Sequence, residues 1–293
     1  MSLRAKETLV KNRWRYIAFV AGFFLFVAPF ALLTRAVYFL VGNTAEPTLH
    51  SVCFRMPIDW IFGGRFYSIF GSSWFMAAFV FTVIISSIFF GAVFCGWLCP
   101  VGAVSEALSR AVPIPKRFRI RIRDTTLTVS MRYGFLVGFI IIAFLVGYKL
   151  ASDQFGSICC RYCSSSVLQN FASALFEDPS AVGYWHSGSI ITLLFWLLIG
   201  GLMFSGGRGW CLFFCPLGAL SGLAHKIGGR LGFYRVEHNK GICTGCNRCQ
   251  SLCPMWAIKN DHTVERTLCV NCKECIHACD AYKLVRGKSI EDN

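Results

Sequence analysis

Cys243-Thr-Gly-Cys246-Asn-Arg-Cys249-Gln-Ser-Leu-Cys253-Pro254, answered by Cys269-Val-Asn-Cys272-Lys-Glu-Cys275-Ile-His-Ala-Cys279, is the stretch on which the reading of this chain turns. Both runs space their cysteines alike. Three thiolates wrap one iron–sulfur cubane in a tight loop, and the fourth opens a short helix leading to the other cubane. The spacing therefore predicts one [4Fe–4S] cluster on Cys243, Cys246, Cys249 and Cys279 and a second on Cys253, Cys269, Cys272 and Cys275. Paired Cys-x2-Cys also binds zinc, but eight ligands in two identical runs, the first closed by Pro254, favour the two clusters. His277, between Cys275 and Cys279, reads as a bystander in the loop.

Outward from this stretch the chain is apolar. Of 293 residues 55% are hydrophobic, and the mean hydropathy is +0.54. These residues come in long blocks with few charges, which predicts membrane spans rather than a soluble domain. The net charge of +14 sits beside the apolar blocks, so membrane topology explains it better than nucleic acid does. Twelve of the sixteen cysteines fall in the two C-terminal runs and the two Cys-x3-Cys-Pro motifs at Cys95 and Cys211, which indicates metal ligation in a reducing compartment.

In chain order, a basic segment (1–16) precedes a membrane domain (17–235), the two-cluster domain (236–286) and a tail (287–293). Spans are expected at about 17–41, 74–98, 133–150 and 190–204. The first contains Pro29 and Arg35, which reads either as functional or as reaching for the interface. The N-terminal segment, the 105–132 loop and the tail after span four are basic, while the 42–73 and 151–188 loops are not. The positive-inside rule then places both termini and the two-cluster domain in the cytoplasm. The first apolar run follows a basic region but is too long for a signal-peptide core and lacks a small-residue cleavage site, so it reads as a retained anchor.

An internal duplication precedes the two-cluster stretch. Phe94-Cys95-Gly-Trp-Leu-Cys99-Pro100-Val-Gly102-Ala103 matches Trp210-Cys211-Leu-Phe-Phe-Cys215-Pro216-Leu-Gly218-Ala219 at a constant offset of 116 residues. Two-helix halves of this kind form a parallel repeat. If each Cys-x3-Cys lies on one helix face, then Cys95, Cys99, Cys211 and Cys215 supply four soft ligands, one cluster's worth. The alternative is that they are structural thiols where helices end. Cys53, Cys159, Cys160 and Cys163 fall in the outer loops, as a disulfide set or a metal site. His50, Asp59, Tyr67 and His186 are candidates for proton transfer at an outer quinone site. The spans offer little buried charge apart from Arg35 and no broken helix pair, so transport is unsupported. No Gly-x-Gly-x-x-Gly follows a strand pattern, which leaves nucleotide cofactors without support.

Four spans, two Cys-x3-Cys-Pro motifs and an eight-Cys C-terminal run together resemble the NapH/MauN-type membrane ferredoxins, whose core NosR and related polyferredoxins share. The resemblance rests on Cys95, Cys99, Pro100, Cys211, Cys215, Pro216 and the eight cysteines from Cys243 to Cys279. It implies a mainly α membrane protein of the bacterial inner membrane, with four transmembrane helices and a C-terminal α+β two-cluster ferredoxin. It also implies a quinol dehydrogenase subunit of anaerobic respiration, passing electrons to an iron–sulfur or cytochrome partner of a periplasmic reductase. The alternative is a maturation or regulatory factor that supplies electrons for assembling another redox enzyme. Cys53 and Cys159-Cys160-x2-Cys163 lie outside the pattern and point to a relative serving a different respiratory enzyme.

Overall fold

The computed structural model describes residues 13–27, 30–44, 61, 74–112, 114–152, 163–177, 194–195 and 200–287. The chain is mostly helical there. Helices α1 (Arg13–Phe26), α2 (Leu32–Val41) and α3 (Trp74–Phe90) lead to a π-helical turn, Phe94–Leu98, and to α4 (Pro100–Ala111). Next come α5 (Thr125–Gly147), α6 (Ser164–Phe176), α7 (Gly209–Phe213) and α8 (Pro216–Arg230). The C-terminal unit pairs β1 (Arg235–His238) antiparallel with β2 (Tyr282–Val285), in register Arg235↔Val285 to His238↔Tyr282. Between the strands lie two one-turn helices, α9 (Arg248–Leu252) and α10 (Glu274–Ala278).

Of the described helices, α5 alone is long and apolar enough to cross a membrane, with 23 residues and a window hydropathy of 2.1. Asp124 caps its start by accepting a hydrogen bond from the Thr126 N–H at 2.8 Å, satisfying one of the free donors of the first turn. Thr128, Arg132 and Leu136 are buried one turn apart, while Leu127, Phe135, Val137, Ile141 and Phe144 face outward. A helix that hides an arginine and shows its aliphatic side is patterned for an apolar surrounding.

Two sequence expectations are corrected. The stretch 17–41 is not one continuous helix: the chain breaks before α2, where Ala31 adopts φ 38°, a left-handed conformation. The stretch 74–98 is also interrupted, by Gly91 at φ 75°, a value glycine adopts without steric cost. Broken helices are thus present. The expectation for span four lies mostly outside the described residues.

The two halves interlock. α8, from the second copy of the motif, packs along α3 of the first, and a Cβ on Gly228 would lie 1.8 Å from the Ile88 carbonyl oxygen. In the reciprocal contact Gly201 meets Leu108 and the Ser105 carbonyl on α4. The C-terminal unit is seated on this body at several points. Trp256 is buried, donates its indole N–H to the Ser205 carbonyl at 2.6 Å and packs on Phe204 and Phe213. Trp97 donates to the Asn271 carbonyl (3.1 Å), and Asn271 donates to the Phe90 carbonyl (2.7 Å). Glycine contributes by absence: a Cβ on Gly96 would lie 2.1 Å from Val270 O, and one on Gly222 would lie 2.0 Å from Thr267 O.

Candidate iron–sulfur sites

The loops of the C-terminal unit are built alike. Asn247 and Lys273 hold left-handed conformations ahead of α9 and α10, and the Cys253 and Cys279 N–H groups donate to the carbonyls of Cys249 and Cys275. Among the described residues no three His, Cys, Asp or Glu side chains are placed for a single metal ion. What the cysteines do form is a cavity. Cys253, Cys269, Cys272 and Cys275, the set expected for one cluster, line it together with Val236, Met255, Ile258 and Val264. A cavity lined by four cysteines and mostly aliphatic side chains, with Lys273 and Glu274 also on its wall, fits a cubane in its donor chemistry. Burial pushes the Cys253 thiol up to about 11, because an unpaired thiolate is costly there; a bound cluster would supply the positive charge that a thiolate needs.

The other set is placed differently. Cys249 is buried, Cys243 and Cys279 are half-buried, and Cys246 is exposed. The backbone N–H of Arg248 lowers the Cys246 thiol pKa. Cys249 lies 3.5 Å from the Tyr282 hydroxyl, which donates to the His262 carbonyl at 2.8 Å. His277 sits in α10, half-buried.

The duplicated motif is repeated bond for bond. Cys99 N–H reaches back five residues to the Phe94 carbonyl (2.9 Å), and Cys215 N–H to the Trp210 carbonyl (3.1 Å). Both second cysteines are extended and cap the helix that follows, with Pro100 or Pro216 at its first position, where a missing N–H costs nothing. The idea that each Cys-x3-Cys lies on one α-helical face is therefore corrected. The wide turn and the break at the second cysteine set the pair. The four thiols nevertheless lie near enough to feel one another's charge: Cys95 interacts electrostatically with Cys99 and Cys211, and Cys215 with Cys95 and Cys99. Burial pushes Cys211 and Cys215 up to about 12.

Two buried arginines border this group. Arg208 donates to the Cys95 carbonyl at 2.6 Å, and its Nη2 has no hydrogen-bond partner. Arg132 donates to the Thr267 carbonyl at 2.9 Å, and its Nε has none. Orphaned guanidinium N–H groups beside four thiols fit an anionic cluster held there.

Sequence reasoning missed a buried ion network. Arg15 pairs with both Glu106 and Glu274 at 2.6 Å, Arg208 with Glu106 at 2.8 Å, and Arg110 with Glu106 at 2.5 Å and Glu274 at 2.9 Å. Burial alone would raise the Glu106 carboxyl, but Arg208, Arg15 and Arg110 hold it down at about 2. Arg15 and Arg208 look in sequence like topogenic charges; the signal for Glu274 is its place between Cys272 and Cys275. The expectation that the spans hold little buried charge apart from Arg35 is corrected as well. Arg132 is buried on α5, whereas Arg35 is exposed and donates to the Phe30 carbonyl. Cys163 is half-buried at the start of α6. Cys53, Cys159, Cys160, His50, Asp59, Tyr67 and His186 lie outside the described residues.

A family model described as a 4Fe-4S binding domain matches residues 72–121 and 189–234, one copy on each half of the duplication. Among curated relatives, the methylamine utilization ferredoxin-type protein MauN of Methylobacillus flagellatus is 28% identical over 60% of this chain and 54% of its own length. The ferredoxin-type protein NapH of Haemophilus influenzae is 26% identical over 64% of this chain and 59% of its own. The regulatory protein NosR of Stutzerimonas stutzeri is 25% identical over 62% of this chain but only 22% of its own length. The match thus spans little more than half of the ferredoxin-type relatives. No solved structure matches.

Proposed function

We propose that this NapH/MauN-type polyferredoxin, related to NosR, is a membrane electron-transfer subunit that oxidises quinol and delivers electrons to a redox partner. Three thiolate sets would hold its clusters: Cys95, Cys99, Cys211 and Cys215 at the membrane edge; Cys253, Cys269, Cys272 and Cys275; and Cys243, Cys246, Cys249 and Cys279. Clusters so held supply one-electron chemistry, two transfers accounting for each quinol that becomes quinone and two protons.

One observation carries this reading. Cys95, Cys211 and Cys272 belong to a single buried core, with Leu212, Phe213, Met255, Trp256, Leu268 and Val270 filling the space around them. The chain keeps water out between the membrane-edge thiols and the nearer ferredoxin set. It leaves Cys246 of the farther set exposed, at the end of the relay away from the membrane-edge thiols. The outward-facing apolar side of α5 supports membrane residence, and the basic flanks favour four spans with a cytoplasmic ferredoxin. The acceptor in this reading is an iron–sulfur or cytochrome subunit of a periplasmic reductase.

The test uses membrane vesicles containing the full chain, followed by paramagnetic resonance. Added quinol is expected to reduce the clusters and added quinone to reoxidise them. Clusters that respond to dithionite but never to quinol would defeat the quinol dehydrogenase reading, and would favour an assembly factor.

A further inference from the structure

Each copy of the duplicated motif carries a glycine three residues after its second cysteine, and each glycine receives one buried guanidinium. A Cβ on Gly102 would lie 3.0 Å from Arg208 Nη1. A Cβ on Gly218 would lie 2.9 Å from Arg132 Nη2 and 3.5 Å from Cys215 Sγ, so guanidinium and thiol share that corner. The arginines are not related by the 116-residue offset, since Arg132 comes from α5 and Arg208 from the residue before α7. The two glycines are.

Both cations are at most 2% exposed. Among the described residues no carboxylate pairs with Arg132, whose bond is to a carbonyl oxygen. Arg208 shares Glu106 with Arg15 and Arg110, so three guanidinia divide two carboxylates. Each arginine also keeps an N–H without a partner. Buried positive charge of this kind needs an anion, and the group both arginines border is the four thiols.

We propose that Arg132 and Arg208 are the counter-charges of a cluster held by Cys95, Cys99, Cys211 and Cys215, raising its reduction potential, and that Gly102 and Gly218 are the sockets that admit them. This rests on the reading that those four cysteines hold an iron–sulfur cluster. A cubane on four thiolates is anionic and gains one more negative charge on accepting an electron, so a fixed cation beside it favours the reduced form. Arg132 interacts electrostatically with Cys95, Cys211 and Cys215 of this centre. Arg208 also interacts with Cys272 and so acts on the neighbouring set too. Both are positioning residues, since their N–H groups and charge act on the cluster through space and through its ligands' surroundings.

The test is a redox titration, by paramagnetic resonance, of full-length protein purified without air. The membrane-edge signal is identified as the one abolished by Cys95→Ser. Arg132→Gln is expected to lower the midpoint potential of that signal and leave the other two in place, with Arg132→Lys restoring most of the shift. If Arg132→Gln loses the centre outright, Arg132→Lys is expected to retain it. The proposal is overturned if the signal keeps its wild-type potential in Arg132→Gln, if the Gln and Lys variants shift alike, or if both lose the centre. A wild-type protein with no signal sensitive to Cys95→Ser would instead overturn the underlying cluster reading, and this inference with it.

Discussion

Glu106 shows how much one residue carries here. Its carboxylate serves Arg15 on α1, Arg208 beside the duplicated motif and Arg110 one turn along α4. Glu106→Gln is expected to cost about 3–5 kcal/mol, the usual loss when one partner of a buried ion pair is removed, read as a lower thermal midpoint in detergent. A substitution within error of wild type would mean the network contributes nothing. Glycine makes a complementary case. Gly96→Ala drives a methyl into the Val270 carbonyl, and is expected to loosen the ferredoxin unit so that limited proteolysis releases it. Gly138→Ala meets nothing within 4 Å and is expected to leave the digestion pattern unchanged. The eight cysteines of the C-terminal runs stand out as a candidate ligand set from spacing alone, because the spacing of such ligands is local. Arg132, Glu106 and Glu274 do not, because all their partners but Arg110 on Glu106 lie 91 to 259 residues away.

Among the elements, α5 covers most of the span expected at 133–150 but starts earlier, at Thr125, where Asp124 caps it. Val137, outward-facing near its middle, is the position to test. Val137→Arg is expected to cost about 2.5–3.5 kcal/mol of insertion free energy, seen as a larger fraction of chain extracted from membranes by alkaline carbonate. Unchanged extraction would place α5 against protein rather than lipid. The motif turns were only half legible. The cysteine spacing and the following proline announced a helix start, but i and i+4 on one helical face was the wrong local geometry. Five-residue closure in both copies, Phe94 to Cys99 and Trp210 to Cys215, is invisible to an α-helical period. The breaks at Ala31 and Gly91 escaped for a similar reason, since hydropathy ran on unbroken across them.

For the molecule as a whole, the C-terminal cysteine-rich unit and the helical body share one buried core rather than being joined by a tether alone. Composition pointed to an apolar helical body and spacing to a cysteine-rich unit after it, and neither pointed to their seam. That seam is built from backbone carbonyls meeting glycines and from Trp256 and Trp97 reaching across, none of which has a sequence period. Its functional meaning depends on the four thiols of the duplicated motif. Iron and acid-labile sulfide per chain, measured on protein purified without air, test that point most directly. The account predicts about twelve iron atoms per chain, three cubanes, falling to about eight in Cys95→Ser/Cys211→Ser; a wild-type value of about eight, unchanged in that variant, would contradict it.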